Sequence, residues 1–162
     1  MKVIVVPHSH NDPGWLRTFE GYFESHTKAI IDNIVTKLVE YPEMRFIWSE
    51  ISFLSKWWET ASGGQRETLK LLAQQRRLEI VTGGWVMADE ATVNLYSMVD
   101  QLIEGHEWVR LKLGVVPKVS WSVDPFGHGA PMPYILKRAG FDAMVIQVYH
   151  SVKICFSALE VK

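Results

Sequence analysis

Residues 2–15 read KVIVVPHSHNDPGW, and in them an apolar run passes directly into a polar segment. The β-branched side chains predict a strand from Lys2 to Val6. His10 and Asp12 follow two positions apart, so in an extended chain their side chains leave on the same side. Pro13 favours an extended Asp12, and Gly14 permits a sharp turn after it. The sequence therefore predicts a strand that presents an imidazole and a carboxylate together at its carboxyl end.

A second segment of the same kind is DPFGH at 124–128, which follows a predicted strand from Lys118 to Val123. In parallel α/β sheets the functional residues collect at the carboxyl ends of the strands, so the two segments are expected to meet. Imidazole nitrogen and carboxylate oxygens are donors that Zn²⁺ accepts in sites with one position open for substrate. His10, Asp12 and Asp124 are therefore the predicted metal ligands.

The same residues also have a purely structural interpretation. His10 and Asp12 could form a hydrogen-bonded turn, with Asp12 and Asp124 each capping the helix that follows. His8 is predicted as an outer partner of the site or a strand-end histidine, and His128 as a residue that stabilises its loop. Neither is predicted to be a ligand.

The rest of the chain alternates short β-branched runs with segments of helical period, which indicates an α/β fold with a parallel sheet. Further strands are predicted at Arg45–Trp48, Leu78–Thr82 and Ala143–Gln147. Helices are predicted at about Glu20–Val39, Phe53–Thr60, Gln65–Gln75, Asn94–Leu113 and Pro131–Ala139.

Composition limits the possible partners. The 162 residues carry 17 basic and 18 acidic side chains without long runs of one sign, which argues against nucleic acid or an anionic membrane as partner. No apolar stretch is long enough for a membrane segment, and the single cysteine, Cys155, lies in a segment expected to be irregular. Four tryptophans near strand ends could stack on sugar rings or pack in the core: Trp15, Trp48, Trp85 and Trp121.

Five segments in order carry a family resemblance: VPHSHNDPGWL, FIWSEISFLSKWW, EIVTGGWVMADEAT, DQLIEGHEW and SWSVDPFGHGAPMPYILKRAGF. From about Val3 to Gln147 the chain resembles the N-terminal catalytic domain of glycoside hydrolase family 38, in particular its Golgi α-mannosidase II group. The resemblance implies the N-terminal part of a seven-stranded, barrel-like (β/α) parallel sheet. It also implies a zinc-dependent retaining α-mannosidase that acts on the mannose residues of N-glycans in the Golgi lumen.

The resemblance assigns roles to individual residues. His10, Asp12 and Asp124 correspond to zinc ligands, and Asp124 is also the nucleophile that forms the covalent glycosyl-enzyme intermediate. Trp15 and Phe126 correspond to side chains that line the mannose pocket.

The chain also departs from the family pattern. The resemblance implies that the family's fourth zinc ligand, a histidine, and its acid/base aspartate come from later in a longer chain, and we do not expect the family's usual membrane anchor within this sequence. An I-Q-R-x-H-Y segment of the family is replaced by IQVYH at 146–150. We therefore expect residues 1–150 to be a catalytic-domain fragment and 151–162 a divergent tail of a truncated chain that is inactive alone.

Two other functions remain open at this level. One is a non-catalytic fragment that retains weak metal or sugar binding. The other is a metal-dependent carbohydrate deacetylase, whose related barrels use an H-x-D site to activate water at an amide.

Overall fold

A computed structural model of the chain describes residues 3–148 and 151–155. Helices and strands alternate along the described residues, and a π-helical turn at Phe23–Thr27 joins the first two helices. The elements are α1 (Phe19–Tyr22), α2 (Lys28–Glu40), β1 (Phe46–Trp48), α3 (Ile51–Thr60), α4 (Gly63–Gln74), β2 (Leu78–Ile80), α5 (Leu95–Leu113), β3 (Val119–Ser122), α6 (Pro131–Arg138), β4 (Ala143–Val148) and β5 (Ser151–Cys155).

The described strands form two sheets, β1–β2 and β3–β4–β5, each in sequence order. β1 pairs with β2 and β3 pairs with β4, both in parallel, whereas β5 returns antiparallel to β4. Between β2 and β3 the link is local: the Thr82 amide donates to the Val119 carbonyl, and the Thr82 hydroxyl accepts from the Trp121 amide at 2.8 Å. Because all carboxyl ends of the parallel strands point the same way, the loops that follow them share one edge.

The prediction of a strand at Lys2–Val6 is wrong for the described residues 3–6. The only pairing of this segment in the described range is a parallel bridge between His8 and Ile47. In that register Val6 and Val5 would face Arg45 and Met44, which belong to the loop after α2, so no backbone ladder is available to them. The apolar side chains of Val3, Ile4 and Val5 are accordingly exposed.

Helix ends follow local sequence rules. The Ser62 side chain accepts from the Gln65 amide and the Gln65 side chain accepts from the Ser62 amide, so α4 begins in a capping box. The helix therefore starts two residues before the predicted Gln65 and includes Gly63 and Gly64. Asn94 caps the start of α5, and Gly114 ends it in the left-handed conformation.

Two buried clusters form the core. The larger one lies between β1, β2 and the helices α2, α3 and α4, with Trp48, Phe53 and Leu69 among its members. The smaller one joins α5 to α6 and β4 through side chains such as Met98, Leu136 and Met144. Gly105 lets α5 approach the turn after β2 closely, because a Cβ there would lie 2.8 Å from the Trp85 nitrogen.

The structure supports an α/β fold with parallel strands, but the described residues do not form a seven-stranded barrel. The segment that carries Cys155 was expected to be irregular, but Ser151–Cys155 form strand β5. Residues 149–150 and 156–162, which include part of the predicted departure and most of the predicted tail, lie outside the described residues. Within the described range, every helix is too short or too polar to cross a membrane.

Candidate metal centre

The three predicted ligands meet at the shared edge of the strands. Nε2 of His10 lies 3.1 Å from Oδ1 of Asp12 and 3.3 Å from Oδ2 of Asp124. One ligand atom from each residue can be chosen so that all three lie within 4.8 Å of one another. Two carboxylates thus converge on Nε2 of one imidazole, although they come from loops more than a hundred residues apart in sequence.

Buried polar contacts hold the loop that carries His10 and Asp12. Asn11, between the two ligands, is buried, and its side-chain oxygen accepts a hydrogen bond from the Thr27 hydroxyl at 3.2 Å. Thr27 ends the π-helical turn and is itself buried. The Asn11 side-chain amide also donates to the Ser9 hydroxyl at 3.2 Å. The middle of the loop is therefore fixed while its ligands face outward.

The loop that carries Asp124 is held by the segment after β2. Asp89 accepts from the Phe126 amide at 3.0 Å, and Glu90 accepts from the Gly129 amide at 2.8 Å. Burial raises the pKa of Glu90, while the Gly129 amide and His128 lower it. Nε2 of His128 lies 3.2 Å from the Gln147 carbonyl, so His128 bridges its loop to β4. Loop stabilisation is the role that the sequence predicted for His128.

The ligands open onto a cavity of about 600 Å³. Trp15 and Phe126, the predicted sugar-contacting residues, line it from opposite loops, and their side chains are 75% and 71% exposed. Met87 and Asp89 complete one wall. Asp124 also lines this cavity, and its side chain is well exposed, so its carboxylate is accessible to a ligand in the cavity.

Glu50 is a site residue that the sequence reasoning missed. Its side chain is 0% exposed, and Oε1 lies 3.8 Å from Nδ1 of His10. Burial raises the pKa of Glu50 to about 8; nearby amide groups of Glu50 and Asn11 offset part of this effect, and the Asp12 carboxylate adds to it. The sequence held one indication of it, since Glu50 lies two residues after the end of a predicted strand, where site residues of parallel sheets collect.

The structural alternative is met in one part and not in the other. The hydrogen bond between His10 and Asp12 is present, with Nε2 3.1 Å from Oδ1. Thr18 and Ala130 occupy the N-cap positions of α1 and α6, so neither Asp12 nor Asp124 caps a helix here. Trp48 is buried in the core, Trp85 packs against it, and the Trp121 ring contacts the His8 ring edge-on at 5.0 Å. Of the four strand-end tryptophans, Trp15 is the one that faces the cavity beside the ligands.

The donor set fits a divalent cation such as Zn²⁺. One nitrogen and two oxygens form three of the four positions of a catalytic zinc site, and a cation between them would relieve the repulsion between the two carboxylates. The arrangement can hold a metal beside an exposed carboxylate at the wall of a cavity large enough for a sugar ring.

Comparison with known proteins gives a consistent family. Residues 1–154 match the family described as glycosyl hydrolases family 38 N-terminal domain. The chain is 60% identical over 150 residues to "Alpha-mannosidase 2" of Spodoptera frugiperda. The matched region covers 93% of this chain and 13% of that protein. It is 56% identical over 158 residues to "Alpha-mannosidase 2" of Rattus norvegicus, covering 97% of this chain and 14% of that protein. The chain thus spans a small part of the length of these relatives.

Solved structures share the fold at lower identity. An α-mannosidase from Enterococcus faecalis V583 superposes with a TM-score of 0.73 at 22% identity, covering 87% of this chain and 16% of that one. A 4-α-glucanotransferase from Thermococcus litoralis gives a TM-score of 0.65 at 23% identity, covering 87% and 21%. These two likenesses concern the fold of the chain.

Proposed function

Because the chain belongs to glycosyl hydrolase family 38, we propose that it forms the zinc-binding, nucleophile-bearing part of a retaining α-mannosidase that acts on N-glycans. The observation that carries the proposal is the convergence of the His10, Asp12 and Asp124 ligand atoms within 4.8 Å. They converge at the wall of a cavity that two exposed aromatic side chains also line.

Asp124 is the proposed nucleophile. In a retaining glycosidase one carboxylate oxygen attacks the anomeric carbon while the glycosidic C–O bond breaks, and a second carboxyl group protonates the leaving oxygen. The exposed Asp124 carboxylate on the cavity wall supports this role. In the longer proteins that this chain resembles, the acid/base carboxyl group is proposed to lie outside the part that matches this chain.

His10 and Asp12, together with Asp124, are the proposed zinc ligands. When bound, zinc would orient the hydroxyl groups of the sugar and favour a distorted ring. The hydrogen bond between Asn11 and Thr27 supports the loop that carries His10 and Asp12. This support reduces the reorganisation needed to bind a cation.

Trp15 and Phe126 are the proposed contacts of the mannose ring. The face of an aromatic ring can stack on the apolar C–H face of a pyranose. Both side chains are exposed and line the same cavity as the ligands. The proposed compartment, the Golgi lumen, rests on the family resemblance alone.

Calorimetric titration of the purified chain with zinc tests the metal assignment. We expect binding by the unmodified chain, and a loss of affinity of at least about tenfold in His10→Ala and in Asp124→Ala, because each change removes one of three donors. Asp100→Ala, which alters an exposed carboxylate on α5, is the control and should bind zinc as the unmodified chain does. Equal zinc uptake by all four proteins would show that the metal assignment is wrong.

A further inference from the structure

The buried side chain of Glu50 has no cationic partner in the part of the chain that the structure describes, and the nearby amide groups of Glu50 and Asn11 offset only part of the effect of its burial. Neither carboxylate oxygen makes a hydrogen bond to any of the described residues. Among the described residues, Glu50 forms no salt bridge with a lysine or an arginine. Burying an ionisable group without such a partner is unfavourable, because its polar atoms lose their contacts with water and gain no full replacement. An apolar side chain at this position would avoid that cost, so the carboxyl group calls for another explanation.

Helix capping does not explain it. Glu50 occupies the N-cap position of α3, but its side chain makes no capping hydrogen bond. The amides of Ile51 and Ser52, in the first turn, donate instead to the carbonyls of Gly84 and Trp85, both at 3.0 Å. The loop after β2 thus caps α3, and the Glu50 carboxyl group is left to point toward the metal-ligand loop.

The imidazole of His10, which faces Glu50, also has an atom without a hydrogen-bond partner among the described residues. Nδ1 of His10 is buried and makes no hydrogen bond to any described residue, and Glu50 Oε1 lies 3.8 Å away from it. This separation is slightly longer than a hydrogen bond, so a shift of under about 1 Å in either side chain would close it. Nε2, on the other side of the ring, faces Asp12 and Asp124.

The tautomer of His10 follows from this arrangement. A ring nitrogen can bind a cation only through its lone pair, so a ligand Nε2 leaves the single proton of the neutral ring on Nδ1. Histidine ligands of metals commonly donate that proton to a carboxylate or carbonyl, which fixes the tautomer and the ring orientation. Within the described residues, Glu50 is the acidic group on the Nδ1 side.

We propose that Glu50 is a positioning residue that accepts the Nδ1 proton of His10 and thereby directs Nε2 of His10 toward the bound cation. The proposal rests on the proposed zinc site and adds a residue to it that does not contact the metal.

The test measures zinc affinity by calorimetry in Glu50→Gln and Glu50→Leu. Gln keeps a neutral acceptor of the same length, and Leu removes the acceptor but keeps the apolar volume. We expect the dissociation constant to rise by about 10- to 100-fold in Glu50→Leu and by a smaller factor in Glu50→Gln. Glu79→Gln, which alters an exposed glutamate on β2, serves as control and should leave zinc affinity unchanged.

A second readout separates positioning from general stability. In the zinc-loaded chain labelled with ¹⁵N-histidine, His10 should show a protonated Nδ1 and a metal-bound Nε2, and the Nδ1–H signal should move strongly upfield in Glu50→Leu. A loss of fold stability alone would leave that signal in place. If Glu50→Leu fails to fold by circular dichroism, Glu50→Gln decides the matter by the same two measurements.

The outcomes separate the two proposals. Zinc binding by the unmodified chain together with unchanged affinity and an unchanged His10 signal in the folded Glu50 variants would overturn the role of Glu50 and leave the metal site intact. No zinc binding by the unmodified chain would overturn the metal site, and the role of Glu50 with it.

Discussion

The helical part of the molecule, residues 19–80, and the rim of loops at the carboxyl ends of the strands are held together by different interactions. In the helical part, α2, α3 and α4 bury a continuous apolar cluster around β1 and β2. In the rim, the described loops depend on a few polar contacts, such as those of Asn11, Asp89 and Glu90. The rim also exposes large apolar side chains, including Trp15 and Phe126.

This difference separates stability from function within one small chain. Apolar burial contributes to stability wherever it occurs, because it depends on area rather than on direction. Metal ligands must also be oriented toward the cation. Hydrogen bonds at one or two residues beside the ligands hold each ligand loop in place. Substitutions in the helical part should therefore change the free energy of unfolding, and substitutions in the rim should change zinc binding more.

The largest expected effect on stability comes from Leu69→Ala in α4. Leu69 is 0% exposed, and its truncation should lower the free energy of unfolding by about 3 kcal/mol, through lost burial and the cavity left behind. Urea unfolding followed by tryptophan fluorescence measures this. Zinc affinity of the folded variant should be unchanged.

The matched control for that change lies two residues away. Leu71, on the same helix, is 53% exposed, so Leu71→Ala should cost less than about 0.5 kcal/mol. Similar losses of stability in the two variants, or a clear loss of zinc affinity in Leu69→Ala, would contradict the separation between a stabilising helical part and a zinc-binding rim.

Gly127→Ala should have a smaller effect on stability and a larger one on the site. Gly127 has φ +83°, and a Cβ there would lie 2.9 Å from the nitrogen and the Cβ of Ala91. The strained backbone and the close contact should cost about 2 kcal/mol. Because Gly127 lies three residues after Asp124, the loop should move and zinc affinity, measured by calorimetry, should fall by several-fold.

Gly129→Ala tests whether that loss is specific. Gly129 lies in the same loop, but it lacks a positive φ, and the nearest contact of a Cβ would be Cδ of Pro131 at 3.2 Å. Its amide, which donates to Glu90, would be retained. We expect Gly129→Ala to bind zinc nearly as the unmodified chain does; equal losses in both variants would mean that the positive φ is not what matters.

The smallest expected effect is a pH dependence at the contact between α5 and the turn after β2. His106 lies 2.8 Å from the Thr82 carbonyl, and burial lowers the pKa of His106 although this hydrogen bond acts in the opposite direction. At pH 7.5 the imidazole is neutral in both states. As the pH falls below about 6.5, the unfolded chain binds a proton that the folded chain does not yet bind, so stability should decrease.

Urea unfolding at pH 7.5 and pH 5.5 would measure this decrease in the unmodified chain and in His106→Gln. Burial raises the pKa of Glu50 and of Glu90, so their contributions have the opposite sign, and only the difference between the two proteins reports on His106. The drop in stability should be smaller in His106→Gln, whereas His26→Gln, at an exposed position, should behave as the unmodified chain. Identical drops in all three proteins would remove His106 as the cause.

The sequence by itself determined the helices, most of the strand positions and the three candidate ligands. Helical periodicity and caps such as Asn94 and Gly114 are local signals, because they depend on residues within one or two turns. The ligand prediction depended on a general rule of parallel sheets and on the spacing in HSHND and DPFGH, and the structure brings those three side chains together.

Only the tertiary structure decided which apolar runs form strands and which polar residues support the site. Val3–Val6 has the composition of a strand, but strands form by pairing, and the described structure offers this segment no ladder. Glu50 lies between β1 and α3 in sequence, yet its environment is set by Gly84, Trp85 and His10, which are distant in sequence. Burial and hydrogen-bond partners are properties of distant residues brought together by folding, so periodicity and spacing along the chain cannot reveal them.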